Sequence, residues 1–307
     1  MKQTVKRELV GLADVALVIS SVCWGLNFVI TKSATGSNPE QFRIFIFNII
    51  RFPIAAGLLF ITIRLRGGSI MLQKKHYKWV ALLSFVGIFL YQIFYMIGQS
   101  LTQSANIGIV YGFIPLLILI TATIAGIERV SLFTVIGVIV GCLGLSAILF
   151  PGGRLTIDIG AFLMLIAIAC WALYAVFGKR ILDHYPAMTA TAWSLLFGSL
   201  FQLPLALWQL PDQNWSELSS INILSVIISA LLSLYFGYSF YFYAISRIGP
   251  SKVGVYTNLT PVFTVFFASL IRHETVGMIH VFGLAVILTG IGFTKIPSRK
   301  KPERLSV

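Results

Sequence analysis

The chain has 307 residues, of which 57% are hydrophobic and 11% charged, with a formal net charge of +13. A soluble domain carries about 25% charged residues, so this composition cannot supply an aqueous surface. The basic excess would suit nucleic acid, but it is gathered in the loops and tails between apolar runs, which argues against a nucleic-acid partner.

Ten apolar runs are predicted as membrane-spanning helices. Runs of roughly 20 apolar residues cross a ~30 Å hydrocarbon core. Only helices and closed barrels satisfy their own backbone there. Span 1, about 12–32, contains Trp24-Gly25-Leu26-Asn27-Phe28. It is too long for a signal-peptide core, and no small-x-small cleavage site follows. Asn27 needs partners or a water-lined cavity, so an interhelical bond and a substrate contact both stay open. Trp24 is a packing residue or a cavity wall. Span 2, about 43–64, holds Arg51. An arginine at mid-helix costs roughly 2.5–3.5 kcal/mol on insertion scales. It should therefore face protein or water, holding an anionic substrate group or pairing with carbonyls.

A basic loop, about 65–78, leads to span 3, about 79–99, with Tyr91 and Tyr95 four residues apart. Span 4, about 105–127, carries Gly108, Gly112 and Pro115 and ends at Glu128. A proline inside a helix frees the carbonyl four residues earlier, here that of Tyr111. Span 5, about 131–150, has Gly137, Gly141 and Gly144. This is a helix-packing face, within one protomer or between two.

Span 6, about 159–179, contains Trp171-Ala172-Leu173-Tyr174, and span 7 covers about 189–209. A polar loop, about 210–221, precedes span 8, about 222–245, with Tyr235, Tyr238, Tyr241 and Tyr243. Tyrosine hydroxyls in hydrocarbon want partners, so these read as a cavity wall. Span 9, about 251–271, repeats the span 4 pattern with Gly254, Asn258 and Pro261, and its freed carbonyl is that of Thr257. Span 10, about 275–296, opens at Glu274 and carries His280, Gly283 and Gly290. Glu128, Glu274 and His280 lie near span ends and read as gating or structural residues.

The chain repeats itself. A shift of 146 residues carries Phe94-Tyr95 onto Phe240-Tyr241, Gly108 onto Gly254, Pro115 onto Pro261 and Glu128 onto Glu274. One residue out of that register, Cys23-Trp24 falls on Cys170-Trp171. Each half has five spans, an odd number, so the halves enter the bilayer from opposite faces. Inverted repeats mark transporters with a midplane site. The predicted fold is all-α and polytopic, with ten transmembrane helices in two inverted five-helix repeats. The repeats cover 12–150 and 159–296, and residues 1–11 and 297–307 are cytoplasmic tails. Of the 23 Lys and Arg, 18 fall on the side that carries both termini, so that side is cytoplasmic.

Absent motifs narrow the function. No G-x-x-x-x-G-K-[ST] stretch supplies an ATP site. No His/Cys/Asp/Glu cluster suits a metal, and no cofactor is expected. An intramembrane enzyme would need a nucleophile and base at one depth, and a sensor subunit would need a soluble output domain. The sequence offers neither.

The ordered set Trp24-Gly25-x-Asn27-Phe28, Arg51-Phe52-Pro53, Ala105 to Pro115 and Glu128-Arg129, with its second copy Trp171 to Lys179 and Ser251 to Pro261 to Glu274, resembles the drug/metabolite transporter superfamily in its EamA-domain branch. The resemblance covers nearly the whole chain. It implies a bacterial inner-membrane carrier that moves small metabolites, often outward, without ATP. It also implies a cavity lined mainly by spans 1, 3, 4, 6, 8 and 9, with spans 5 and 10 peripheral at a candidate homodimer contact. The expected substrates are amino acids or related compounds, with nucleotide sugars, sugar phosphates or drugs as the alternative. The expected substrate-binding set is Trp24, Asn27, Arg51, Tyr95, Gly108, Tyr111, Gly112, Pro115, Trp171, Tyr174, Tyr238, Tyr241, Thr257, Asn258 and Pro261. Lipid is the expected neighbour.

Overall fold

The computed structural model describes residues 2–36, 38–102, 110–128, 130–149, 158–272 and 278–296. The described residues form ten helical rods and no strand; an isolated bridge joins Thr35 to Phe42. In chain order they are α1 (Lys2–Ala34), α2 (Ile44–Leu65), α3 (Lys74–Ser84, π-helical Phe85–Leu90, then Tyr91–Leu101), α4 (Ile114–Ile124) and α5 (Leu132–Leu149). There follow α6 (Ile159–Leu182), α7 (Ala187–Gln209), α8 (Ser220–Ser229, π-helical Ala230–Gly237, then Tyr238–Ile248), α9 (Pro250–Tyr256, then Leu259–Arg272) and α10 (Met278–Thr294).

Seven rods, α1, α2, α3, α6, α7, α8 and α9, are long and apolar enough to cross a membrane. The other three, as Val110–Ile124, Leu132–Ser146 and Val281–Thr294, are shorter apolar helices among the described residues. Each of the three abuts a stretch outside the described residues. Apolar side chains also cover the outside: Leu65 and Ile124 are each 83% exposed, Met278 81% and Ile221 76%. Water would not tolerate so broad an apolar surface, whereas lipid favours it.

Two boundaries differ from expectation. α1 begins at Lys2 rather than near residue 12, so most of the predicted N-terminal tail is helix. Nothing in Lys2–Val10 breaks a helix, and Lys, Arg, Glu and Leu are good helix formers. α4 and α9 are broken rather than kinked. A turn at Phe113 precedes α4, and Thr257-Asn258 divides α9. Pro115 is the second residue of Ile114–Ile124 and Pro261 the third of Leu259–Arg272. Both prolines thus occupy a first helical turn, where a missing N–H costs nothing.

Packing runs between the halves. α1 packs on α8 and α9, and α6 packs on α3 and α4. α2 packs on α7 and α8, while α7 in turn packs on α3. α5 packs on α10. In the α5–α10 seam, a Cβ on Gly137 would lie 2.5 Å from the Gly290 carbonyl, and one on Gly290 would lie 2.6 Å from that of Gly137. The glycines let two backbones touch, so this stripe of small residues is occupied inside the chain.

The π-helical segments sit at repeat-equivalent places, about 146 residues apart. A π turn breaks the regular i to i−4 ladder and is frequent at functional sites. In α8 the Ser233 carbonyl accepts from Tyr238 N–H, five residues on.

Candidate functional site

The α8 π segment positions α1. Trp24 Nε1–H donates to the Ser233 carbonyl at 3.1 Å, and Ser20 Oγ–H donates to the Gly237 carbonyl at 2.9 Å. Gly237 lets the indole approach, since a Cβ there would lie 2.5 Å from Trp24 Nε1. The exchanged contact exists in the other pair of rods. Tyr174 of α6 packs directly against Gly87 in the α3 π segment, where a Cβ would collide with it.

These contacts gather one aromatic cluster between the halves. Trp24 and Trp171 meet edge-to-face at 5.8 Å. Trp24 contacts Tyr238 at 5.8 Å and Tyr241 at 5.1 Å. Trp171 contacts Tyr91, Tyr174, Tyr238 and Tyr241 at 5.6–5.8 Å. The cluster continues through Tyr95, stacked on Tyr91 at 5.9 Å, to Tyr111, whose hydroxyl lies 2.6 Å from that of Tyr91. Trp24, Trp171, Tyr95, Tyr111, Tyr174, Tyr238 and Tyr241 are therefore brought together, and Tyr91 joins them.

A polar chain abuts this cluster. Arg51 is 7% exposed. Its Nη1 donates to Ser229 Oγ at 2.8 Å, and its Nε donates to Asn48 Oδ1 at 3.0 Å. Ser229 Oγ–H donates to Asn27 Oδ1 at 2.5 Å. Asn48 Nδ2 donates to Gln202 Oε1 at 2.9 Å, and Gln202 Nε2 reaches the Gly198 carbonyl at 3.2 Å. The chain ties α1, α2, α7 and α8 together. Arg51 carries no ion pair among the described residues. Its charge is faced by Phe47 and Phe52 rings at 5.2 and 5.3 Å and stands within electrostatic reach of the Tyr91 and Tyr238 hydroxyls. Ser229 is one helical turn from Ser233, which receives Trp24, so polar chain and aromatic cluster share one face of α8.

The helix breaks form a second place. A Cβ on Gly112 would meet Leu145 of α5 at 3.5 Å, and one on Gly141 of α5 would lie 3.1 Å from Asn258 Nδ2. Gly112 and Asn258 thus turn towards α5 and away from the aromatic cluster. Pro115 rests against Gly254, where α4 crosses α9. The Thr257 carbonyl accepts from Thr260 N–H at 3.1 Å, so it is not the free backbone acceptor expected from Pro261. Once the helix is broken, the loop reuses that carbonyl locally. Asn258 is 1% exposed, and neither its Nδ2 nor its Oδ1 has a hydrogen-bond partner among the described residues.

Glu128 ties the halves at one end. Its Oε2 accepts from Ser251 N–H at 2.9 Å. Gly249, at φ +85°, leaves room for the carboxylate, which a Cβ there would strike. Glu128 therefore holds a backbone N–H at the start of α9, and no cation pairs with it among the described residues. Gly108 and Glu274 lie outside the described residues, as does the His280 side chain. Among the described residues no group of three or more His, Cys, Asp or Glu converges.

Sequence reasoning missed Ser229, Asn48 and Gln202. Asn48 had a signal, being three residues before Arg51 and so on the same helix face. Gln202 stood in an apolar run, and Ser229 belonged to a series at four-residue spacing with Ser225 and Ser233, with nothing local to tie either to Arg51.

The chain matches the EamA-like transporter family twice, over residues 11–150 and 158–295. It is 26% identical over 305 residues to the "Uncharacterized transporter YetK" of Bacillus subtilis, covering 97% of this chain and 90% of that one. It is 26% identical over 286 residues to an "Uncharacterized transporter" of Archaeoglobus fulgidus, covering 90% and 96%. A solved crystal structure superposes with a TM-score of 0.74 at 20% identity, covering 92% of this chain and 97% of its own. That last likeness speaks to fold alone.

Proposed function

The chain belongs to the EamA-like transporter family and is a multi-pass membrane protein, and from that premise we propose that it is a secondary carrier of amino acids or related metabolites. The observation that carries this reading is Arg51: a buried cation without an acidic partner among the described residues, beside a cluster of aromatic faces. A guanidinium binds a carboxylate in its planar fork. Aromatic faces attract an ammonium group. Together they suit the two charges of an amino acid.

Ten spans in two inverted repeats are the arrangement we propose, with both termini cytoplasmic in a bacterial inner membrane. The exchange of partners supports it: α1 on α8 and α9 is answered by α6 on α3 and α4. Alternating access then consists of one set of rods rocking on the other around the Arg51 chain. The cross-half tie of Glu128 to Ser251 would open in one state and close in the other. A sugar-phosphate or nucleotide-sugar carrier would want several cations, and the polar chain holds one.

A counterflow screen in proteoliposomes tests this over amino acids, organic acids, nucleosides and cationic drugs, with and without a proton gradient. We expect amino-acid exchange that needs no pH gradient, because the described cluster contains no carboxylate. A requirement for the gradient, abolished by Glu128→Gln, would replace exchange with proton coupling. Activity on sugar phosphates alone would overturn the substrate class.

A further inference from the structure

A second cavity lies away from the Arg51 site. It is a groove of about 660 Å³ open to the outside of the bundle, among α1, the end of α2, the start of α7 and α8. Ligand pockets run to roughly 300–1,000 Å³, so this open groove can seat an acyl chain and leave the rest of a lipid in the bilayer. Its walls are apolar, with Val15 and Ile19 of α1, Phe236 and Phe240 of α8 and Met188 of α7. Val15 is 57% and Phe236 39% exposed, so the groove faces the surrounding hydrocarbon.

The polar groups of the groove are not spread evenly. Tyr235 pairs with Thr62 Oγ1 at 2.9 Å, and Thr189 Oγ1 reaches the Ser69 carbonyl. Ser239 also lines the groove, but its hydroxyl is turned inward and buried. Two exposed cations mark one end. Arg66 lines the groove directly. Arg247 lies over the ring of Tyr243, another lining residue, at 5.4 Å. Among the described side chains, the carboxylates nearest in sequence to the lining residues, Asp14 and Asp183, already hold Lys295 and Lys179. The rim therefore has positive charge that no acid of the chain neutralises among the described residues.

We propose that this groove binds an anionic phospholipid. An acyl chain lies along Ile19 and Phe236, and the phosphate sits at Arg66 and Arg247. Basic pockets between transmembrane helices on the cytoplasmic side select anionic headgroups in this way. The inference rests on the membrane-spanning reading, and the proposed orientation decides only which leaflet supplies the lipid.

Native mass spectrometry of the full chain tests it, with phosphatidylglycerol and phosphatidylcholine offered in equal amounts. We expect retained phosphatidylglycerol to exceed phosphatidylcholine roughly tenfold. The double variant Arg66→Glu/Arg247→Glu should bring that ratio near one, and both positions are exposed, so folding is spared. Arg64→Glu, exposed but outside the groove, should leave the ratio unchanged. Equal retention in the wild type, or an unchanged ratio in the double variant, overturns the proposal. Displacement by millimolar inorganic phosphate would also overturn it, since the site would then recognise phosphate without lipid. No transported solute enters this measurement, so a failed counterflow screen leaves it standing. Release of the protein from membranes by alkaline carbonate would instead remove the membrane reading on which it rests.

Discussion

Arg51 and Asn258 are both buried polar residues, yet among the described residues Arg51 has hydrogen-bond partners and Asn258 has none. The sequence marks Arg51 by its cost in hydrocarbon, and the structure shows how the cost is met: a serine, an asparagine and two ring faces. What was not legible was the identity of those partners. Ser229 lies 178 residues from Arg51, and its four-residue spacing from Ser225 and Ser233 marks a helix face without naming the partner. Asn258 presents the opposite case. An unmade hydrogen bond on a buried group costs about 1–3 kcal/mol. Asn258→Leu, close in volume, should therefore leave the melting temperature in detergent unchanged or raise it. If the amide serves the carrier at the helix break, transport should fall at least tenfold in the same variant. A destabilised protein with normal transport would return Asn258 to a purely structural role.

The helix breaks were visible in sequence through proline, because the ring cannot donate to a regular ladder. Their form was not. Pro115 and Pro261 begin half-helices instead of bending whole ones, and the carbonyl expected to be free at Thr257 is taken by Thr260. The π segments were invisible, since one extra residue in a turn leaves apolar periodicity nearly unchanged over six to eight residues. Only their repeat-equivalent positions and the contacts of Trp24 and Tyr174 give them meaning. The glycine stripe of α5 was legible as a packing face, and the structure assigns it to α10. Gly137→Ala would push a methyl group into the Gly290 carbonyl. Overpacking of this kind costs about 1–3 kcal/mol. A lower melting temperature in detergent is expected, with the oligomeric state unaltered. An unchanged melting temperature accompanied by loss of a dimer would move the stripe to an interface between protomers.

At the scale of the molecule, the 146-residue echo foretold two related halves, and the packing answers it with exchanged partners. Sidedness rests on charge placement alone, so it calls for its own check. Ser69 and Glu217 are both exposed, at opposite predicted faces. In intact cells an impermeant maleimide should label Glu217→Cys and spare Ser69→Cys, and the reverse pattern would invert the orientation. We propose that the substrate site lies where the halves differ. Arg51 has no counterpart in the second half, and the chain that holds it passes through α1, α2, α7 and α8.

We propose that Arg51, which has no acidic partner among the described residues, reads the substrate's carboxylate. Counterflow of amino acids into proteoliposomes, wild type against Arg51→Gln at matched folded protein, tests it most directly. Glutamine keeps amide donors for Asn48 and Ser229 but loses the charge. A hydrogen bond to a charged group is worth about 1.5–3 kcal/mol, so exchange should fall about 10- to 100-fold. Exchange at the wild-type rate, with the same order of substrates, would contradict the account.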